Sequence, residues 1–222
     1  MKTLISTKLF PIGVLLLLVL ACSKEKISPS GKQITVTRTT GEFDKVGVSG
    51  ASKVYILPGS TFKIEVKGSE NLVSKFITKV ENRELILKYS KDVNVQSDDI
   101  EVYINMPKIN RVSTYGSATV ELSGNFGSQE IFLANISGSG DIKFDGILKV
   151  NNLEAEIYGS GNCDLQKIIA KNANAETRGS GSITTTVTDK LDVKIAGSGN
   201  VYYYGNPVLT TEISGSGKAV KK

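Results

Sequence analysis

Apolar and polar residues alternate along most of the chain after residue 33. In Leu153–Ile157 and Leu191–Ile195, leucine, alanine, valine or isoleucine stands at every second position and a charged residue stands between. A period of two is typical of a β-strand with one buried face. The alternation predicts an all-β fold for residues 34–222.

A Gly-Ser-Gly triplet recurs among these segments, and its first glycine returns at intervals of 21, 20, 18 and 18 residues. The triplet glycines are Gly138 and Gly140, Gly159 and Gly161, Gly179 and Gly181, Gly197 and Gly199, and Gly215 and Gly217. A degenerate copy begins at Gly116, 22 residues earlier. A period near 20 residues is typical of a solenoid. Because glycine permits positive φ and close backbone stacking, we interpret each triplet as a corner between two strands.

The residues beside the triplets form two apolar columns. Two positions before each triplet stand Ile136, Ile157, Thr177, Ile195 and Ile213, and two positions after it stand Ile142, Cys163, Ile183, Val201 and Ala219. Coils stacked about 4.8 Å apart would place equal positions above one another and bury both columns. Cys163 is therefore predicted to be a small core residue rather than a nucleophile.

Residues 34–110 are less regular than residues 111–222. Val48–Val54 keeps the register of the later copies, which predicts an earlier, diverged part of the same stack. The segments that alternate as strands are Phe62–Val66, Leu85–Tyr89 and Ile100–Ile104. Residues 70–79 fit either a short helix or strands with a bulge. The pattern leaves the number of coils before Gly116 open.

Residues 1–21 have the features of a signal peptide. An apolar run extends from Leu9 to Leu20, with lysines before it, and the small Ala21 precedes Cys22. The run is shorter than the roughly 20 residues that a membrane-spanning helix needs. Val19–Cys22 resembles the bacterial lipobox, in which the cysteine thiol is acylated and becomes the mature N-terminus. Because two or three acyl chains hold a protein on a membrane, we predict lipidation of Cys22.

Residues 22–33 are polar, contain Pro29 and Gly31, and lack periodicity. This composition predicts a tether between the anchor and a β-helix domain of residues 34–222. Ser23–Lys26 resembles the export signal of surface lipoproteins in the Bacteroidetes. That resemblance implies an outer-membrane lipoprotein on the cell surface or on the periplasmic face.

The composition restricts the chemistry. Without the signal peptide the chain carries 27 − 2 = 25 basic and 22 acidic residues, and no basic run precedes Lys221 and Lys222, so nothing favours nucleic acid as a partner. The sequence has no histidine, which excludes Ser-His-Asp and Cys-His catalysis and zinc sites with histidine ligands. If Cys22 is acylated, Cys163 has no disulfide partner. We predict no catalytic residue, no metal and no cofactor.

Two carboxylates give an alternative to this prediction. Glu156 and Glu176 fall at equivalent places in adjacent coils, and a carboxylate spacing of about 5 Å is the one that a retaining glycosidase uses. Lys194 follows in the same column, and no aromatic platform lies beside it. A solvated charged face accounts for this pattern without catalysis.

The tyrosines of Val201–Tyr204 are the candidate contact residues. Tyr203 should point inward with Val201, which leaves Tyr202 and Tyr204 on the outside. Exposed tyrosines can stack on sugars or fill a subunit interface. They can equally cover the open end of the stack.

The residues before the regular repeats carry a family resemblance. Gly50-Ala51-Ser52 with Val54, then Phe62–Val66 and Arg83–Leu87, followed by the triplets, make the chain resemble the putative auto-transporter adhesin family with the head GIN domain. The resemblance covers about residues 36–220. It implies a right-handed single-stranded β-helix, a homotrimer and a role in adhesion, without catalytic residues.

These observations predict a non-catalytic lipoprotein, held at a membrane by its lipid anchor, that presents a rigid β-helix for binding. The ligand would be a glycan or a protein surface. The alternatives are a polysaccharide-active β-helix enzyme and a purely structural envelope protein.

Overall fold

The computed structural model describes residues 25–222, so the signal peptide and Cys22 lie outside the described residues. The chain forms a β-solenoid of about five turns, which confirms the predicted all-β solenoid. Residues 25–110 contain β1 (Glu25–Ile27), β2 (Gln33–Arg38), β3 (Lys45–Gly50), β4 (Lys53–Pro58), β5 (Lys63–Ser69), α1 (Glu70–Lys75), β6 (Phe76–Glu81), β7 (Glu84–Tyr89), β8 (Val93–Val95) and β9 (Glu101–Met106). Residues 111–222 contain β10 (Arg111–Gly116), β11 (Thr119–Gly138), β12 (Asp141–Gly159), β13 (Asn162–Gly179), β14 (Ser182–Gly197), β15 (Val201–Tyr204), β16 (Val208–Gly215) and β17 (Ala219–Lys221).

The strand residues on either side of the triplets form two faces of the solenoid. The strand residues that lead into a triplet make the pre-triplet face, in the order β6-β7-β3-β10-β11-β12-β13-β14-β16. The strand residues that follow a triplet make the post-triplet face, in the order β2-β5-β9-β4-β11-β12-β13-β14-β15-β17. Strands β11 to β14 are long enough to contribute to both faces. From β10 onward every pair of neighbouring strands is parallel, so equal positions of successive coils lie side by side.

The triplet after β12 shows why the sequence requires glycine there. Gly159 has φ of +140°, and a Cβ built on it would overlap the carbonyl oxygen of Gly138 in the preceding coil. A Cβ at Gly161 would overlap the carbonyl oxygen of Gly140 in the same way. The backbone N–H of Ser160 donates to the Gly138 carbonyl oxygen at 2.9 Å. Close stacking of the coils therefore depends on the missing side chains.

Both predicted apolar columns lie in the core. Ile136, Ile157, Thr177 and Ile195 are at most 2% exposed, and Ile142, Cys163, Ile183 and Val201 at most 1%. Thr177 is the one hydroxyl residue among these eight, and its Oγ1 donates to the Gly181 carbonyl oxygen at 2.9 Å. The last member of each column is the exception: Ala219 is only partly buried, and Ile213 is 43% exposed, since β16 pairs only with β14 in the part of the chain that the structure describes.

Residues 25–110 combine the same stack with antiparallel additions. Gly50 pairs in register with Gly116, which confirms that Val48–Val54 is an earlier, diverged coil. The strands predicted near 62–66, 85–89 and 100–104 are present as β5, β7 and β9. Antiparallel pairs join β2 to β5, β5 to β9 and β6 to β7. Of the two structures considered for residues 70–79, the short helix is present over Glu70–Lys75, and strand β6 follows it without a bulge.

The predicted tether of residues 22–33 is partly folded in the structure rather than free. Glu25–Ile27 forms β1 and pairs in parallel with β8, and residues 33–38 form β2. The partner of β1 lies at Val93–Val95, too far along the chain for local composition to indicate it. Among residues 25–222, helix α1 is the only helix, and it is too short to cross a membrane.

Candidate functional site

The carboxylates singled out in the sequence lie in one column of the pre-triplet face. Glu156 pairs in register with Glu176, Glu176 with Lys194, and Lys194 with Glu212. The predicted equivalence of Glu156 and Glu176 is confirmed. These residues point away from the core because they alternate with buried ones such as Ile157.

A second polar column runs beside the first. It contains Glu154, Asn174, Asp192 and Thr210, again one residue from each coil. The two columns line an open groove of about 340 Å³, which we call the acidic groove. Its polar lining residues are Glu154, Glu156, Asn174, Glu176, Asp192, Lys194, Thr210 and Glu212. The groove offers carboxylate, amide, hydroxyl and ammonium groups at intervals set by the strand spacing of about 4.8 Å.

The acidic groove is electrostatically uneven. Glu156 accepts a hydrogen bond from Asn135 Nδ2 at 2.8 Å, but partial burial and the neighbouring Glu154 raise the pKa of the Glu156 carboxyl. The pKa of the Asp192 carboxyl shifts in the opposite direction, because a hydrogen bond from Lys190 Nζ at 2.7 Å lowers it. One carboxylate of the groove is thus harder to ionise than usual and another is easier.

One edge of the groove carries an aromatic residue, so the expectation that no aromatic residue lies beside these carboxylates is wrong. Tyr158 is 41% exposed, and the guanidinium carbon of Arg178 lies 5.3 Å from the centroid of its ring. Arg178 also forms an ion pair with Glu176. The arginine therefore covers the tyrosine and neutralises part of the groove. No group of three or more histidine, cysteine, aspartate or glutamate side chains within residues 25–222 is arranged to hold a metal ion.

A pair of tyrosines on the post-triplet face was missed by sequence reasoning. Tyr55 and Tyr103 are paired in register, and their rings stack with centroids 5.1 Å apart and planes at 18°. Tyr103 Oη donates to Glu101 Oε2 at 2.9 Å, and Lys67 Nζ contacts the same oxygen at 3.0 Å. The hydrogen bond to Glu101 raises the pKa of Tyr103. We call Tyr55 and Tyr103 the tyrosine pair.

A sequence signal for the tyrosine pair did exist. Lys53-Val54-Tyr55-Ile56 and Glu101-Val102-Tyr103-Ile104 share one pattern of charge, valine, tyrosine and isoleucine. The same outward column continues through Glu121, Lys143, Asp164 and Thr184 to Tyr202. Because each ring of the pair lies against the other, the pair presents less free ring surface than two separate tyrosines would.

The predicted contact residues Tyr202 and Tyr204 lie in β15 near the C-terminal end of the stack. Both are partly exposed, and Tyr203 packs against the core as predicted. The Lys222 ammonium lies 4.7 Å from the centroid of the Tyr202 ring. Strand β17 pairs with residues 201–203 and leaves Tyr204 beyond its end. Cys163 is 1% exposed, and burial raises the pKa of its thiol, as suits a core residue.

The fold and its outward ladders define a β-solenoid protein with continuous side-chain columns on two faces. The model of the family described as putative auto-transporter adhesin, head GIN domain, matches residues 42–207. The chain belongs to this family, and the resemblance seen in the sequence is confirmed.

Solved structures share the fold at low sequence identity. A putative adhesin from Bacteroides fragilis matches with a TM-score of 0.70 and 20% identity, over 88% of this chain and 100% of its own. A putative lipid binding protein from Parabacteroides distasonis matches with a TM-score of 0.67 and 19% identity, over 89% and 100%. A putative adhesin from Parabacteroides merdae matches with a TM-score of 0.56 and 20% identity, over 89% and 99%. No curated protein matches the sequence.

Proposed function

We propose that this chain is a non-catalytic outer-membrane lipoprotein, acylated at Cys22, that binds an extended glycan in the acidic groove and so acts as an adhesin. The observation that carries the proposal is the repetition of hydrogen-bonding side chains over four successive coils of one open groove. A linear polysaccharide presents its hydroxyl groups at regular intervals, and such a ladder can match them. Membership of an adhesin family supports the same function.

The binding proposal is tested by measuring affinity for the strongest hit of a polysaccharide array. The double variant Glu156→Gln/Glu176→Gln removes two charged acceptors from the groove, and we expect it to lose more than about tenfold in affinity. The control Glu65→Gln/Glu121→Gln makes the same charge change in one column of the post-triplet face and should bind as the wild type does. Equal affinities for all three proteins would contradict the groove as the binding site.

The anchor and the location are tested separately. Mass spectrometry of the protein purified from membranes should find acyl chains on Cys22, and Cys22→Ala should release the protein from the membrane fraction. Protease shaving of intact cells then distinguishes the two faces of the outer membrane, because a protein on the periplasmic face is protected.

A polysaccharide-active enzyme is a second candidate, favoured by one observation. The raised pKa of the Glu156 carboxyl beside the in-register Glu176 resembles the acid of a glycosidase pair. Turnover of an acidic or neutral polysaccharide that disappears in Glu156→Gln/Glu176→Gln would establish this candidate. Binding without turnover supports the adhesin, and neither result favours a structural envelope protein.

Two finer features belong to the proposal. The coil should be right-handed with the triplets at its corners, because parallel strands joined by a crossover are right-handed in nearly all proteins. A crystal structure of the mature chain tests this.

The chain should also form a homotrimer in which Tyr202 and Tyr204 contribute to the interface. Light scattering tests the trimer, and an unchanged mass for Tyr202→Ala/Tyr204→Ala would count against their role.

A further inference from the structure

The first described residues, which follow the proposed anchor, are fixed to the body of the solenoid. We infer that the edge formed by β1, β8 and α1 lies against the membrane and that the C-terminal coil points away from it. We call this edge, residues 25–32, 70–75 and 88–96, the anchored edge. The inference rests on the proposed acylation of Cys22.

Backbone hydrogen bonds join β1 to β8 at both ends of the pair. The Glu25 N–H donates to the Asp92 carbonyl oxygen at 2.9 Å, and the Gln96 N–H donates to the Ile27 carbonyl oxygen at 2.9 Å. The Ile27 side chain packs against the core, as does Val95 in β8. The chain is therefore part of the folded body from Glu25 onward.

Helix α1 holds the residues after β1. Asn71 Nδ2 donates to the Ser28 carbonyl oxygen at 2.8 Å, and the Ser30 N–H donates to Asn71 Oδ1 at 2.9 Å. The Glu70 N–H donates to the Lys32 carbonyl oxygen at 3.0 Å. The helix is in turn packed on the N-terminal end of the stack, where Leu72 and Val73 are buried.

These contacts shorten the reach of the anchor. A free tether over residues 22–33 could extend roughly 40 Å, at up to 3.6 Å per residue. Only three residue steps separate Cys22 from Glu25, and they span about 11 Å at most. An acylated Cys22 must therefore keep the anchored edge next to the lipid headgroups.

The charges of the molecule favour an upright solenoid. The anchored edge contains five lysines and three acidic residues, a net charge of 5 − 3 = +2. The acidic groove contains five carboxylates and one lysine, a net charge of 1 − 5 = −4, and the ion pairs of Arg178 with Glu176 and of Lys190 with Asp192 reduce it to −4 + 2 = −2. If the solenoid lay on its pre-triplet face, the carboxylates of the groove would contact the phosphates of the lipid headgroups, and the like charges would repel each other. Upright, the last coil stands roughly 38 Å beyond β6, because eight strand spacings of about 4.8 Å separate them.

The absence of tryptophan from the sequence gives a direct test, because a single introduced tryptophan reports its own position. Lys91→Trp labels an exposed site on the anchored edge, and Val208→Trp labels a site that is 72% exposed at the far end. The acylated proteins are placed in phosphatidylcholine vesicles with a nitroxide on part of the choline headgroups. We expect Lys91→Trp to lose at least half of its fluorescence and Val208→Trp to keep nearly all of it.

A longer linker provides the matched control. A flexible glycine and serine insertion of about a dozen residues after Ser23 should abolish most of the quenching of Lys91→Trp, because the reach then returns to roughly 40 Å. Equal quenching of the two tryptophans, or quenching at Lys91→Trp that survives the insertion, would overturn the inference.

A second preparation separates this inference from the proposed acylation. The mature chain with Cys163→Ala can be coupled through the Cys22 thiol to a maleimide lipid, which supplies an anchor whether or not the cell acylates Cys22. Lack of acyl chains in the natural protein would refute the proposed anchor. Equal quenching in the coupled protein would refute the orientation alone.

Discussion

In residues 111–222 each coil repeats the coil before it, whereas residues 25–110 combine the parallel pairs β3 with β7, β4 with β9 and β1 with β8 with antiparallel pairs and a helix. The regular part needs glycine where backbones touch and apolar residues in the inward columns. The N-terminal part instead closes its end of the stack with β2, β6 and α1. At the other end, all residues of β16 are exposed. Repeated coils bury a core by using the same residue types at the same positions. The last coil has no neighbour on one side, so its exposed side must be capped in another way.

The largest expected effect comes from the backbone contact between coils. Gly159→Val adds a side chain where φ is +140° and where a Cβ overlaps the Gly138 carbonyl oxygen, so we expect a loss of about 4 kcal/mol or more in free energy of unfolding. Gly127→Ala is the control, because Gly127 also has positive φ, but no atom of the described residues other than its chain neighbours lies within 4 Å of its Cβ position. Urea denaturation measures both. Similar losses would show that backbone strain, rather than stacking, requires the triplet glycines.

The second prediction compares two coils through one column. Ile157 is 0% exposed and Ile213 is 43% exposed, although both stand two positions before a triplet. Ile157→Ala should cost about 3 to 4 kcal/mol through lost burial and a cavity, and Ile213→Ala less than about 1 kcal/mol. Urea denaturation of the two variants gives the difference. A large cost for Ile213→Ala would mean that something covers the last coil in solution.

The third prediction concerns the polar support of the N-terminal part. The Asp98 carboxylate accepts hydrogen bonds from Ser52 Oγ and Tyr89 Oη, both at 2.6 Å, and from the Ile100 N–H at 2.9 Å. Asp98→Ala leaves these donors without their acceptor, and we expect a loss of about 2 to 3 kcal/mol. Asp189→Ala is the control, since Asp189 is exposed and, among residues 25–222, its carboxylate accepts a side-chain hydrogen bond only from the adjacent Thr188. Thermal unfolding with equal midpoints for both variants would contradict this role of Asp98.

The regular part is where sequence reasoning succeeded. A column such as Ile136, Ile157 and Ile195 is visible because its members recur at the triplet period, and every triplet marks the register. The same register predicts that Glu156 lies beside Glu176, as the pairing of β12 with β13 confirms. Because successive coils repeat, residues that are one repeat apart in the sequence are neighbours in the structure.

Contacts that join unlike segments could not be read in this way. Strand β1 pairs with β8 about 70 residues later, and nothing in Glu25–Ile27 indicates this partner. Tyr55 and Tyr103 stand in two similar segments, but β5, α1, β6, β7 and β8 separate them, so no constant repeat spacing shows that β9 lies next to β4. The second polar column of the acidic groove includes Asn174 and Thr210. The triplet register aligns them in the sequence, but an asparagine and a threonine alone do not indicate a binding site.

A smaller effect separates Thr177 from Thr114, which pairs in register with Ile136 and continues the first inward column one coil earlier. Thr177 Oγ1 is hydrogen-bonded to the Gly181 carbonyl oxygen, whereas Thr114 Oγ1 is buried and has no partner within residues 25–222. Thr114→Val should raise the free energy of unfolding by about 1 kcal/mol, and Thr177→Val should lower it by about the same amount. Urea denaturation measures both shifts. The prediction fails if Thr114→Val is the more destabilising of the two.

The smallest effect reports on the charges of the acidic groove. The folded-state pKa of Glu156 is raised above the unfolded value of about 4.3. Between these two pKa values the folded state binds more protons than the unfolded chain. The free energy of unfolding therefore falls as the pH rises from the unfolded pKa through the folded pKa. Glu156→Gln lacks this fall and should stabilise the protein at neutral pH, by less than about 0.5 kcal/mol because the carboxyl is only partly buried and solvent screens its repulsion from Glu154. At a pH of about 3 the variant and the wild type should be equally stable, since the carboxyl is protonated in both states.

Asp192 supplies the opposite case in the same groove. Its folded-state pKa is lowered by Lys190, so its contribution to stability is present above the unfolded pKa of about 3.9 and is lost as the pH falls through the folded value. Asp192→Asn should therefore destabilise the protein at neutral pH and have no effect in strong acid, the reverse of Glu156→Gln. Raised salt should weaken both effects, because each depends on exposed charges. If the two variants shift the urea midpoint in the same direction at neutral pH, the uneven charge of the groove does not exist in solution.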